Sequence, residues 1–158
     1  MTQNLKMRDL IQAQGVTAAL AVTNKKEVLQ SIANAAAALA GKDPQAVFDV
    51  LWERERLGTT GVGNGIAIPH GRVAGLEKVM GYFARLSQPV NFDSIDDKPV
   101  DLVFLLLAPE AAGADHLQAL ATVSRFLRDA KLCDQLRKAK DDAALYKLLA
   151  ETSSAQAA

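Results

Sequence analysis

Two histidines and one arginine are the residues of this chain whose types and settings could carry chemistry. His70 closes the string Gly61-Val62-Gly63-Asn64-Gly65-Ile66-Ala67-Ile68-Pro69-His70-Gly71-Arg72. Ile66 and Ile68 alternate with Ala67, the pattern of a strand with one buried face. Pro69 fixes φ and offers no backbone donor, so the strand is expected to stop there. Gly71 has no Cβ and lets another surface come close to the ring. The string therefore predicts an imidazole presented at the end of a strand on a stiff base. That setting suits a nucleophile which a partner protein must reach. The plainer alternative is a surface histidine without a role.

Arg54 is singled out by helical spacing. Asp43-Pro44 reads as an N-cap followed by proline in the first turn, opening a helix that runs to about Leu57. Val47, Val50 and Leu51 define its apolar face, and Arg54 follows them by seven, four and three residues. Arg54 thus falls on the inward face, whereas Arg56 points toward the polar side. An inward guanidinium needs an anionic partner, because an unpaired buried charge is expensive. Either Glu53 or Glu55 neutralises it, or it faces a site that receives a phosphate. Arginine suits the second role because its planar fork bonds two phosphoryl oxygens at once.

His116 follows a small, flexible loop, Glu110-Ala111-Ala112-Gly113-Ala114, and an Asp115 that reads as an N-cap. It is expected in the first turn of a helix, where free N–H groups and the positive dipole end favour an anion. The alternative is a partly exposed histidine packed over Leu120. Thr59 and Thr60 either donate to a nearby anion or cap the preceding helix.

Taken together, Glu53-Arg54-Glu55-Arg56-Leu57-Gly58-Thr59-Thr60, the Gly-Asn-Gly-Ile-Ala-Ile-Pro-His-Gly string and Asp115-His116-Leu117 resemble the enzyme IIA proteins of the bacterial phosphotransferase system. The likeness is to the mannitol/fructose/nitrogen type, and within it to the nitrogen-regulatory branch. It covers roughly residues 5–150. The resemblance implies a mannitol-type enzyme IIA fold and a phosphoryl group accepted on Nε2 of His70 from a histidine phosphocarrier protein of the nitrogen-branch type. It also implies that Arg54 supports the phosphohistidine and that His116 stands beside it, with no cofactor and no metal. His116 would donate to the phosphoryl oxygens or hold His70 in the right tautomer.

The elements that must position these residues alternate between helix and strand. A short apolar run, 17–22, reads as a strand. Asn24 and Glu27 have capping-box spacing and open an alanine-rich helix that Gly41 ends. The second helix and the glycine turn with its motif strand, 61–69, follow. Strands are expected over 79–86 and 100–108, the latter so continuously apolar that both its faces should be covered. A helix over 115–128 carries Leu117, Leu120, Val123 and Leu127 inward. Short helices cover 130–139 and 141–151, and the tail 152–158 reads as frayed. Trp52 reads as core, Asp96-Asp97 as a turn, and Arg137-Lys138-Ala139-Lys140 as a solvated helix end. The fold class expected is α/β: one domain, a mixed sheet with helices on both faces.

Composition narrows the function. The 158 residues suffice for a sizeable core, and Lys and Arg balance Asp and Glu at 18 each. A general nucleic-acid binder carries a basic excess, so that class is disfavoured. The single cysteine, Cys133, allows no intrachain disulfide and no metal framework. Gly61, Gly63 and Gly65 precede a strand rather than a helix and do not form a dinucleotide fingerprint. No secretory leader and no apolar run of ~20 residues is read, so a cytoplasmic protein without membrane insertion is expected. The expected function is a phosphoryl-accepting enzyme IIA acting as a nitrogen- or nutrient-linked regulator. A sugar-specific enzyme IIA that passes phosphate to a IIB domain is the first alternative, and a non-enzymatic partner-binding module the second. A metallohydrolase is the weakest reading, since no ligand cluster of metal spacing is present.

Overall fold

Val100–Pro109 form strand β6, the axis of the sheet. Its side chains alternate between two apolar layers. Leu102, Phe104 and Leu106 enter one core, while Val103, Leu105 and Leu107 enter the other. All six are fully buried, so a run that reads as uniformly apolar is a period-two pattern with both faces covered. The structure is a computed structural model that describes residues 6–156, with side chains through Glu151.

In chain order the other elements are α1 (Met7–Leu10), β1 (Val16–Leu20), α2 (Lys25–Ala40), α3 (Pro44–Leu57), β2 (Gly61–Gly63), β3 (Ile66–Ala67), β4 (His70–Val73) and β5 (Met80–Val90). After β6 come α4 (Ala114–Leu127), α5 (Ala130–Lys138) and α6 (Asp142–Gln156). The sheet order is β1-β5-β6-β3-β2, and β4 also pairs with β6. β1 runs parallel to β5, β5 antiparallel to β6, and β3 and β4 parallel to β6. Core residues of α2 and α3 cover one face of this mixed sheet, and those of α1, α4, α5 and α6 cover the other. The architecture is the single-domain α/β arrangement expected.

Several boundaries and placements differ from expectation, each for a local reason. β5 extends to Val90, beyond 86, past a register irregularity after Arg85. The Asn24 side chain caps α2 through the Glu27 N–H, but the Glu27 carboxylate accepts from Thr23 N and Oγ1. Leu117 is 68 % exposed, because the buried stripe of α4 runs through His116, Ala119, Val123, Phe126 and Leu127. Arg137 is not a solvated helix end: its guanidinium pairs with Asp101 at 2.8 Å and donates to the Asn64 carbonyl. α6 continues through Gln156, past the boundary expected at 151, and residues 157–158 lie outside those described.

The motif string itself is more folded than one strand. Asn64 and Gly65, both at positive φ, turn the β2–β3 hairpin. From Ile66 to Val73 every paired residue faces the β6 residue 36 positions further on, as Ile66 faces Leu102 and His70 faces Leu106. β3 and β4 are thus one parallel ladder interrupted at Pro69. Proline cannot donate to that ladder, but its carbonyl accepts from Leu106 N at 2.9 Å, so pairing resumes at once. Ile66 and Ile68 face the α4 layer and Ala67 and Val73 the α3 layer, so both faces of the segment are buried. The expectation of one buried face is corrected accordingly.

Gly71 lies on the α3 side of this ladder. A Cβ there would clash with Val50 Cγ1 of α3. The surface that comes close at Gly71 is therefore the protein's own helix, not a partner. Gly71→Ala is expected to destabilise the fold by about 1–3 kcal/mol, the scale of overpacking. Val50→Ala in the same chain should restore part of that loss. Urea denaturation of the two single variants and the double variant checks it, and additive losses would count against the contact.

Candidate functional site

His70 is the first residue of β4, not the last of a strand, because pairing restarts immediately after Pro69. The alternation that sends Ile66 and Ile68 toward α4 sends His70 the same way. There its ring meets His116 edge-on, with centroids 5.7 Å apart and planes at 70°. The Nδ1 of His70 lies 2.9 Å from the carbonyl of Ile68. A carbonyl only accepts, so Nδ1 carries the proton, and the lone pair of the neutral ring sits on Nε2. The tautomer of His70 is held by its own backbone two residues back, without help from His116.

His116 occupies the third position of α4. The N-cap is Gly113, two residues before the expected Asp115, and the helix runs from Ala114 rather than from 115. The Gly113 N-cap makes no side-chain capping bond at this end, which is the positive pole of the helix dipole. His116 is 7 % exposed, more buried than a histidine resting loosely over Leu120. Its Nε2 is buried and has no hydrogen-bond partner among the described residues. An unsatisfied buried polar nitrogen costs about 1–3 kcal/mol unless a ligand or water meets it.

Arg54 lies in the last turn of α3. The buried face of that helix is formed by Val47, Phe48, Leu51 and Glu55, so Arg54 and Val50 stand on its flank rather than at its centre. Arg54 is half-buried and donates from Nη1 to the Gly58 carbonyl at 2.9 Å. Neither glutamate neutralises it. Glu53 pairs at 2.7 Å with Arg56, and both are exposed. Glu55 is 6 % exposed and accepts from Lys25 Nζ at 3.0 Å, Thr60 N at 3.0 Å and Thr60 Oγ1 at 2.6 Å. Among the described residues Arg54 therefore has no carboxylate within ion-pair distance, and the internal ion-pair reading fails.

These groups converge on an open depression of about 560 Å³ at the sheet edge. His70, His116, Arg54, Arg72 and Glu53 supply its polar lining, and Val50 and Leu57 its apolar walls. Leu57 is 85 % exposed, and Leu117, next to His116, is also largely exposed. Thr59 and Thr60 are not there. Thr59 Oγ1 donates to the Phe92 carbonyl, and Thr60 is committed to Glu55. Trp52 is half-buried and stacks on Phe48 against the α3 core. Among the described residues no cluster of three or more His, Cys, Asp or Glu could hold a metal ion. No helix among them is long and apolar enough to cross a membrane.

Two participants were missed in the sequence. Arg72 was legible: it lies two residues after His70, and in a strand that spacing means the same face. Ending the strand at Pro69 hid it. Glu55 carried no such signal, because its role depends on Lys25 and Thr60 reaching it from other segments.

Desolvation, more than any charge, holds the His70 pKa below the usual histidine value, and the Arg54 cation adds to it. The Ile68 carbonyl and Glu55 act in the opposite direction. His116 is lowered first by desolvation, then by His70 and Arg72. Folding therefore favours both neutral rings. Stability from them is complete above the unfolded value of ~6.5 and is lost as pH falls through the lower folded values.

Comparison with known proteins gives concordant matches. The family model described as "Phosphoenolpyruvate-dependent sugar phosphotransferase system, EIIA 2" matches residues 9–152. A nitrogen regulatory protein of Bradyrhizobium diazoefficiens is 53 % identical over 146 residues, covering 92 % of this chain and 95 % of that one. The crystal structure of nitrogen regulatory protein IIA-Ntr from Neisseria meningitidis superposes with a TM-score of 0.83 at 32 % identity, covering 90 % of this chain and 98 % of that one. For fold alone, the crystal structure of IIA mannitol from Escherichia coli gives a TM-score of 0.72 at 22 % identity, over 87 % of this chain and 97 % of that one.

The electrostatic arrangement is open to direct titration. The His70 ring-proton resonance is expected to titrate with a midpoint below ~6.5. In Arg54→Ala the midpoint should move up, because one cation opposing protonation is gone. A wild-type midpoint at or above ~6.5 would contradict the burial argument.

Proposed function

The chain belongs to the EIIA 2 family of the phosphoenolpyruvate-dependent sugar phosphotransferase system, and on that premise we propose that it accepts a phosphoryl group on Nε2 of His70. The donor in this reading is the phosphohistidine of a nitrogen-branch phosphocarrier protein, met in the cytoplasm. The phosphorylation state then reports nitrogen or nutrient status to regulated partners. The observation that carries the reading is the Nδ1–H···O=C bond to Ile68, which leaves the Nε2 lone pair of a half-buried ring beside a cation without a carboxylate.

The step balances without an added proton carrier. The His70 Nε2 lone pair forms the new P–N bond as the donor's P–N bond breaks. The bonding pair returns to the donor imidazole, and His70 keeps its Nδ1 proton on the Ile68 carbonyl throughout. The transition state is loose and needs in-line positioning and charge stabilisation more than covalent help. Arg54 supplies charge through its free guanidinium donors. His116, whose tautomer-fixing role Ile68 has taken, donates from Nε2–H to a phosphoryl oxygen. The lowered His70 pKa keeps the nucleophile unprotonated near neutral pH. A protein donor fits an open depression with exposed Leu57 and Leu117 around it.

Incubation with phosphoenolpyruvate and the general phosphotransferase proteins is expected to label His70 with an acid-labile, alkali-stable phosphoryl group. His70→Ala should abolish the label while folding normally. Stoichiometric label on His116 in that variant would overturn the assignment.

Arg54→Ala should slow labelling by ~10²-fold or more, the scale for losing one preorganised charge stabiliser. Arg56→Ala, whose pair with Glu53 is exposed, should stay within a few-fold of wild type. Equal effects from the two would show that position on the helix is not what matters.

A further inference from the structure

We infer that Arg72 is a second phosphoryl-contacting cation, closing a two-arginine clamp with Arg54 across the depression that holds His70. The inference rests on the phosphoryl-acceptor reading above and extends it to a residue outside that mechanism.

Three independent observations place Arg72 there. First, it sits two residues after His70 on β4, so both side chains leave the same face of the strand, ~7 Å apart along it. A guanidinium on its flexible stem spans that distance. Gly71 between them turns the other way, against Val50. Second, Arg72 lines the same depression as Arg54, His70 and His116, and its charge reaches His116, whose pKa it helps to lower. Third, Arg72 is exposed and, among the described residues, no carboxylate lies within ion-pair distance of it. Among the described residues the acid on the lining is Glu53, and it is engaged by Arg56.

An arrangement of two cations, one buried unpartnered imidazole nitrogen and no free acid is chemically an oxyanion site. Arg54 enters it from the end of α3, and Arg72 from β4. Two guanidinium forks from different elements can bond different equatorial oxygens of a phosphoryl group in transit, which one fork cannot do. Arg72 could instead hold an acidic side chain of the incoming protein. The two roles differ in one respect: a contact with the phosphoryl group persists when the donor has no protein attached.

The test therefore uses two donors and one equilibrium probe. Labelling of His70 is timed with the phosphorylated carrier protein and, separately, with phosphoramidate. The affinity for inorganic phosphate is read from the ring-proton shifts of His70 and His116. Wild type, Arg72→Ala, Arg72→Lys and, as a control for net charge, Arg56→Ala are compared. Arg72→Ala is expected to slow labelling from both donors by about tenfold or more and to weaken phosphate binding several-fold. Arg72→Lys should recover part of each, since it restores charge but not the fork. A loss with the carrier protein alone, with phosphoramidate rates and phosphate affinity unchanged, overturns the clamp and assigns Arg72 to partner docking. If wild type is labelled by neither donor yet Arg72→Ala weakens phosphate binding, the clamp stands and the acceptor reading of His70 falls.

Discussion

The parallel ladder between residues 66–73 and β6 is the constraint on which the site depends. Its unbroken register fixes which side chains of the motif face α4 and which face α3. Even-numbered residues go to the α4 side, where His116 waits. Odd-numbered ones go to the α3 side, where Gly71 must be bare to admit Val50. A slip of one residue would turn His70 away from His116 and set a side chain where Gly71 now admits Val50. Pro69 stays within the ladder because its carbonyl is bonded by Leu106, and the same stiff segment brings the Ile68 carbonyl under Nδ1. Register, tautomer and presentation of the imidazole thus share one cause.

A second constraint fixes the arginines. The two glutamates of Glu53-Arg54-Glu55-Arg56, two positions apart, have opposite fates. Glu53 and Arg56 form an exposed pair, worth about 0–1 kcal/mol. Glu55 is buried and fully engaged by Lys25 and Thr60, and removing one partner of such a buried pair costs about 3–5 kcal/mol. That contact ties the end of α3 to the start of α2 and to the strand that follows. By taking up Glu55, the buried carboxylate among the described residues, it also leaves Arg54 with no counter-ion among them. The stable ion pair and the cation without a carboxylate are two consequences of the same helix rotation.

On the proposed reading, phosphorylation would change the charge of this site rather than its shape. A phosphoryl group on His70 would add about −1.5 to −2 charges at the mouth of an open, partly apolar depression. Arg54, Arg72, the His116 ring and the uncapped end of α4 lie close enough to absorb it. A partner seated over the neutral ring would then meet a new desolvation penalty, and each 1.4 kcal/mol of it weakens binding about tenfold. A switch of that kind needs no hinge, and the ladder that holds His70 offers none.

Much of this protein was legible in its sequence, because the relevant signals are local. Period-two alternation and continuous apolarity marked β6, capping residues marked the starts of α2 and α3, and the Pro-His-Gly string marked His70. Helical spacing separated Arg54 from Arg56, and the small loop before Asp115 put His116 in a first turn, although the N-cap is Gly113. What sequence alone could not decide were the contacts between distant segments. That Pro69 interrupts a strand without ending it depends on Leu106, 37 residues further on. Whether Arg54 is neutralised depends on where Lys25 and Thr60 stand. The exposure of Leu117, the engagement of Arg137 by Asp101 and the inclusion of Arg72 in the site likewise follow from packing. Local propensity specifies which way a side chain can point along its own element. Only the docking of elements decides what it meets there, and in this molecule that decision is made by the register of one parallel ladder and the rotation of one helix.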